Sequence, residues 1–483
     1  MVKIIIESNV RSRIDGKLDS FVKHKLDATL SYFADGYQFS PRFKRRMWDG
    51  RVRLFSKATQ VFQTGCFFII IQILQEHKIE FCTEDKRKPV SPGKPLPVYG
   101  KEIRDYQEEA IRALLGKARG ILLAATGAGK TFIIANVVAR LNLPTVIYTH
   151  TCDLLHQMKD EIEGMLKIEC GQLGDGIVNI RGINVATMQT VSRALLGKYE
   201  KENDEDVADD EETDIEPYKD RIIKMVKECN VAIIDETHHA SATSIQAIMN
   251  TSQNAYYRYG VTATLREKGD DLLVHSVLGR IVYTIRASEL IRRNWLVRPT
   301  IYFYEVENDL KAQQGTYRQV YKNCVVENYY RNRLIIDSAL KFFKGGKKIL
   351  ILVRQIDHGN MLMRQLEGDM QVRFLQSKVD SDVRKEVLRA FKGGELDCLI
   401  ATALADEGLD LPVLDAVILA GSGKSRIKAF QRIGRAIRKF PGKDKAYIID
   451  FMDKAHYLEK HSEERLKIYQ TEEEFIIKIQ KKS

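Results

Sequence analysis

The chain has 483 residues, 44% hydrophobic and 29% charged, ordinary values for a globular protein and enough for about three domains of roughly 150 residues each. Its longest apolar run, Cys66 to Leu74 with Gln72 inside it, falls far short of the ~20 residues that span a bilayer, and Met1-Val2-Lys3-Ile4 leads into charged positions with no signal-peptide pattern. The net charge is +11, yet Glu200–Glu216 holds eleven acids and one lysine, so the remainder is strongly basic. That balance points to a polyanion partner, nucleic acid first; lysine serving solubility alone is the rival reading. The closest two of the seven cysteines, Cys66 and Cys82, lie sixteen positions apart. With no CxxC pair, the thiols read as reduced, in a cytoplasmic protein, and offer no ligand knuckle for zinc.

In chain order, residues 1–90 form a small, basic α+β module. The stretch Lys86–Pro97 holds four of the ten prolines and is expected to be an extended linker, centred on 91–97. After it, short β-branched runs alternate with helical patterns, the mark of buried parallel strands. Ile121–Ala124, Thr145–Tyr148, Val185–Thr187, Val231–Ile234 and Gly260–Thr262 belong to a first α/β domain over 98–293. Its acidic stretch 200–216 has too few apolar residues to order and reads as a solvated loop. Lys348–Val353, Cys398–Ala401, Ala416–Leu419 and Tyr447–Ile449 belong to a second domain over 294–455, followed by a C-terminal helical extension over 456–483. The predicted class is α/β, with two parallel sheets in tandem.

Ala125-Thr126-Gly127-Ala128-Gly129-Lys130-Thr131 lies between a strand and the helix-like Phe132–Leu141, where a phosphate loop belongs. Its glycines let backbone N–H groups turn around a β-phosphate, Lys130 reaches the β/γ oxygens, and the Thr131 hydroxyl suits Mg²⁺. The leading glycine of the usual pattern is Ala124. Asp235-Glu236-Thr237-His238 closes a strand at the end where such sheets bind ligands. Asp235 is placed to hold the metal shell and Glu236 to orient the attacking water. Upstream, the Gln107 amide in Arg104-Asp105-Tyr106-Gln107 suits an adenine edge, or the segment marks only a helix start. In Gln431–Arg438, Arg435 and Arg438 are i, i+3 neighbours on a predicted helix, fit either for charge on a transferring phosphoryl group or for a DNA backbone. His238 and His239 make a poor metal pair, since adjacent loop residues seldom share an ion.

Taken together, these motifs, with Thr262-Ala263-Thr264 and the Thr402–Asp410 segment, resemble superfamily 2 helicases in motif order over about 100–452. The resemblance implies two RecA-like domains binding Mg²⁺ and ATP between them, through Arg104, Gln107, Thr126, Gly127, Gly129, Lys130, Thr131, Gly408 and Asp410. It further implies Arg435 and Arg438 as fingers, and His238, Thr262, Thr264, Thr402 and Gln431 as coupling residues. Ala34–Tyr37 and Pro41–Leu54 resemble the N-terminal region of the phage UvsW helicase family, which implies a host-cytoplasm enzyme that unwinds, migrates or anneals branched DNA, with RNA met in R-loops. Arg42, Lys44, Arg45, Arg46, Arg51 and Arg53, interleaved with Phe43 and Trp48, fit phosphate contact and base stacking; Trp48 as a core anchor is the competing reading. The module is expected to select the substrate and to be removable without unfolding the RecA-like cores. A duplex translocase that never separates strands shares every motif; a DNA-structure-binding protein with a decayed ATPase is disfavoured by the intact Lys130, Glu236 and Arg438.

Overall fold

The computed structural model describes residues 1–34, 36–197, 214–237, 242–263, 270–309, 312–376, 379, 381–402, 411–421, 433–434 and 436–481. The chain forms two compact units, residues up to 284 supplying almost all of the first and those from 285 onward almost all of the second.

The N-terminal module has a four-stranded sheet in the order Val61–Gln63, Arg11–Asp15, Val2–Ile6, Phe81–Asp85. Helices Ser20–Thr29 and Phe67–Glu76 pack on it around Ile4, Leu26, Ile70 and Leu74. A separate ribbon pairs Ser31–Phe33 with Arg51–Arg53, and residues 34–50 form its tip.

The module does not hang from the next domain by a tether. Helix Phe67–Glu76 reads FFIIIQILQE, too apolar for a single buried stripe. Its surplus face finds a second cover in the nucleotide-binding domain: Leu273 joins the module's own core, and Phe68 meets the His275 ring edge-on at 5.7 Å. A Cβ on Gly65 would lie 2.2 Å from the Ser276 carbonyl oxygen, so only glycine permits this approach. Arg119 Nη2 donates to the Asn9 carbonyl at 2.7 Å, and Ser276 Oγ donates to Gln63 Oε1 at 2.6 Å. The proline-rich stretch has no regular structure, as expected, but lies docked: Gly93 N donates to the Leu141 carbonyl, Leu96 N to that of Ala139 and Tyr99 N to that of Met165. The expectation of a removable module therefore needs correction, because truncation near residue 98 would strip Leu273 of its cover and leave donors unpaired. We expect such a truncation to lower the melting temperature of the remaining chain and raise its aggregation; an unchanged melting temperature would contradict the shared core.

The first unit's main sheet has eight strands in the order Ile177–Asn179, Gly171–Gly174, Ile183–Thr187, Thr145–Thr149, Val231–Asp235, Tyr257–Thr262, Arg119–Ala124, Ile281–Ile285. The six from Gly171–Gly174 to Arg119–Ala124 are parallel, and all but Gly171–Gly174 contain the buried runs the sequence offers. The second unit has a parallel seven-stranded sheet in the order Val372–Leu375, Cys398–Thr402, Ile349–Val353, Ala416–Ile418, Ala446–Lys454, Pro299–Glu307, Ile476–Gln480. These are the two RecA-like domains. The expected C-terminal helical extension is helical only at Leu458–Tyr469; Ile476–Gln480 is the edge strand of the second sheet. Its Ile-Ile-Lys-Ile-Gln is too short and too near the terminus to stand out as a strand. Among the described residues, no helix is long and apolar enough to cross a membrane.

Candidate nucleotide site and nucleic-acid surface

Strand order builds the nucleotide site. The Arg119–Ala124 strand delivers the phosphate loop, the Val231–Asp235 strand delivers the acids, and the Tyr257–Thr262 strand lies between them. Register sets Asp235 beside Val261 and Thr262 beside Leu123, so three motifs distant in sequence end at one edge. The loop bends through Gly127 (φ 89°) and Gly129 (φ 79°), left-handed values that cost glycine little. Helix Lys130–Leu141 then starts with its free N–H groups and positive dipole end at the loop. Gln107 is buried, its Oε1 accepting from Arg104 N at 3.1 Å. A Cβ on Gly129 would sit 2.6 Å from Gln107 Nε2, which puts this amide against the phosphate loop. Arg104 Nη1 donates to the Tyr106 hydroxyl at 2.8 Å. Glu108 braces the arrangement: it accepts from Arg140 on the phosphate-loop helix at 2.5 Å and 3.0 Å, and these bonds, with those from Arg112, hold its carboxyl down at about 2.

Lys130 is ion-paired with Glu236, both side chains being largely buried. Thr262 Oγ1 lies 3.5 Å from the other Glu236 oxygen. Glu236 has φ 50°, an uncommon conformation for a non-glycine residue and one often found at functional sites. The resemblance implies Thr262 as a coupling residue; the structure brings its hydroxyl to the proposed catalytic carboxylate. Asp235 is buried. Burial, reinforced by the neighbouring Glu236 charge, raises its carboxyl to about 7 against the pull of Lys130, and its Oδ1 has no hydrogen-bond partner. A buried carboxylate oxygen without a donor suits a hard cation, so Asp235 and the half-buried Thr131 fit the Mg²⁺ role. Sequence reading passes over Thr237, whose buried hydroxyl also lacks a hydrogen-bond partner among the described residues; its type and position gave no signal of this.

The expected helical pairing of Arg435 with Arg438 requires correction. Arg435 lies outside the described residues, but Arg438 falls beyond the helix, in an isolated antiparallel bridge with Leu296. Val297 N donates to the Ile437 carbonyl at 2.8 Å, and the Lys-Phe-Pro-Gly that follows cannot continue a helix. Thr402 is buried at the end of the Cys398–Thr402 strand, its hydroxyl without a hydrogen-bond partner among the described residues. Gly408, Asp410, His238, His239, Thr264 and Gln431 lie outside the described residues, as does 200–213 of the acidic stretch.

The seven proposed DNA-contact residues separate into two groups. Arg42, Lys44, Arg45 and Arg46 are exposed, and none forms an ion pair with a described residue. Arg53 is committed to Asp27 and Asp49; its hydrogen bonds lead the causes that hold the Asp49 carboxyl at about 2. Arg51 donates to Ser31 Oγ at 3.1 Å and lies 4.4 Å over the Phe33 ring. Trp48 donates its indole N–H to the Arg51 carbonyl at 2.9 Å and is half-buried, so it anchors the loop.

Three family models match the chain. The res subunit of type III restriction enzymes matches residues 100–267, the conserved C-terminal helicase domain 333–440, and the N-terminal region of the DNA helicase UvsW 7–77. The chain belongs to the superfamily 2 helicases. It is 24% identical to the ATP-dependent DNA helicase uvsW of Enterobacteria phage T4, across 98% of this chain and 97% of that protein. It is 26% identical to the DNA 3'-5' translocase XPB2 of Sulfurisphaera tokodaii, over 73% of this chain and 82% of that one. A fragment of an HsdR-type subunit of a type I restriction enzyme from Vibrio vulnificus aligns with a TM-score of 0.57 at 19% identity, covering 80% of this chain and 69% of that chain, which supports the fold. The helicase is an ATP-dependent DNA helicase.

Proposed function

We propose that this helicase unwinds or branch-migrates branched DNA, such as forks, D-loops and four-way junctions, with ATP and Mg²⁺ at the site built on Lys130, Thr131, Asp235 and Glu236. The observation that carries the reading is the loop at 34–50. Its four exposed cations, which form no ion pair among the described residues, lie on a UvsW-type module that shares its core with the nucleotide-binding domain. Lys130 binds the β/γ-phosphates and so exchanges its Glu236 partner for phosphate oxygens. Glu236, released, orients the attacking water and takes its proton. When bound, Mg²⁺ neutralises charge developing on the phosphates; Asp235 and Thr131 are the residues that would hold it. Thr262, beside Glu236, senses whether that carboxylate is engaged. Arg435 and Arg438 keep the role the resemblance implies, charge on the transferring phosphoryl group.

The test is ATPase rate and strand displacement measured with single-stranded, linear duplex, forked and four-way DNA. Forked and four-way substrates should stimulate and be resolved best. Translocation without strand separation is the second reading, favoured by the likeness to a DNA translocase. Triplex displacement from a linear duplex, with no resolution of forks, would establish it and overturn the first. Substituting Arg42, Lys44, Arg45 and Arg46 together by alanine should weaken DNA binding whatever its sequence. The slope of log affinity against log salt should flatten by about 0.9 for each duplex phosphate that the variant no longer neutralises. An unchanged slope would remove these residues from the DNA surface.

A further inference from the structure

The 34–50 loop displays more than charge. Phe39 is 77% exposed and Met47 74% exposed, whereas the other aromatic rings of the loop are used internally. Tyr37 stacks on Phe33, with centroids 4.7 Å apart, and meets Phe43 edge-on at 4.9 Å. Gly50 closes beneath Tyr37, where a Cβ would lie 2.5 Å from the ring. Ala34 N donates to the Gly50 carbonyl at 2.8 Å and Met47 N to that of Arg42 at 2.9 Å. The loop is thus braced by its own aromatic ladder. Phe39 takes no part in it: it ends the single turn Tyr37–Phe39, two residues before helix Pro41–Lys44 and its cations.

We propose that Phe39 is a base-stacking wedge that selects the branch point of a DNA junction, a role resting on the reading that this module binds branched DNA. An exposed aromatic ring offers a face to any nucleobase, and cations close to it in sequence hold the neighbouring phosphates. On an intact duplex such a ring must first unstack a base step, a cost of a few kcal/mol. At a branch point the terminal pair already has an uncovered face, or a base is already unpaired, and that cost vanishes. The ring therefore adds affinity at junctions and little on linear DNA, which is a structural preference without sequence readout. Trp48 is the poorer candidate, being half-buried and pinned by its indole N–H to the Arg51 carbonyl.

The experiment measures full-chain affinity for forked and linear duplex DNA of equal length in the wild type, Phe39→Ala and Phe39→Trp. Fork affinity should fall roughly 5- to 150-fold in Phe39→Ala, the range for losing one base–aromatic stack, while linear affinity and melting temperature hold. Phe39→Trp should keep the fork preference, and its emission should be quenched on fork binding beyond any change in the wild type, which contains Trp48 and Trp295. Equal fork affinity in wild type and Phe39→Ala would overturn the wedge, as would equal losses on fork and linear DNA. If the four-cation variant still loses DNA binding in that event, the module's role in DNA binding stands and only the wedge falls. If neither variant changes binding, both readings fail.

Discussion

Glu236→Gln should lower ATP turnover by about 10²- to 10⁴-fold, the range for a positioned general base, while tightening nucleotide binding. The tightening follows from the Lys130–Glu236 ion pair: a neutral amide no longer competes with phosphate oxygens for the ammonium group. Lys130→Ala should do the opposite to binding. Losing a hydrogen bond to a charged group costs about 1.5–3 kcal/mol, so ATP affinity should fall roughly 10- to 150-fold. Equilibrium titration with a fluorescent nucleotide, beside single-turnover hydrolysis, separates the two effects. Wild-type hydrolysis by the glutamine variant would remove Glu236 from the water-positioning role, and weaker nucleotide binding by it would show that the pair does not compete with phosphate.

Arg331→Met should be among the most destabilising single changes in the second unit. Arg331 is fully buried, donating through Nε to Asp453 at 2.8 Å and through Nη1 to the Ala420 carbonyl at 2.6 Å, with Phe451 4.2 Å beneath the guanidinium. Burial pushes the Asp453 carboxyl up and Arg331 opposes that shift. Removing one partner leaves the other charge buried and alone, a loss of about 3–5 kcal/mol. Urea unfolding should register this as an earlier midpoint, and the double change Arg331→Met with Asp453→Leu should recover much of it, since apolar replacements of buried pairs are often neutral. A loss within ~0.5 kcal/mol, usual for surface positions, would show that the pair is dispensable.

The strands at the centre of both sheets were legible because they are buried on both faces and read as unbroken β-branched runs, as in Val231–Ile234 and Lys348–Val353. The Gly171–Gly174 strand was not, since Gly-Gln-Leu-Gly carries neither β-branching nor alternation. Pro299–Glu307 was hidden because it opens on a proline shortly after the domain boundary expected at 293–294. The nucleotide residues were legible from residue type and order, but their meeting was not. That Thr262 falls beside Glu236 follows from which strand lies between which, and local sequence does not encode strand order. The same limit explains Arg438, whose place off the helix is set by a bridge to Leu296 far upstream. In the N-terminal module the cations could be counted from sequence, but which were already spent could not: Arg53 and Arg42 look alike until Asp27 and Asp49 appear in space.

The glycine contact between Gly65 and the Ser276 carbonyl, together with Leu273 buried in the module's core, has a mechanical consequence. A joint made of packed side chains and backbone touching backbone has little compliance. If the 34–50 loop grips DNA as proposed, tension on that DNA reaches the nucleotide-binding sheet without first drawing slack from a tether. The geometry of whatever the loop grips is imposed as a fixed offset on the site of hydrolysis, and lengthening the proline-rich segment would not loosen that offset, because the segment is not what sets it.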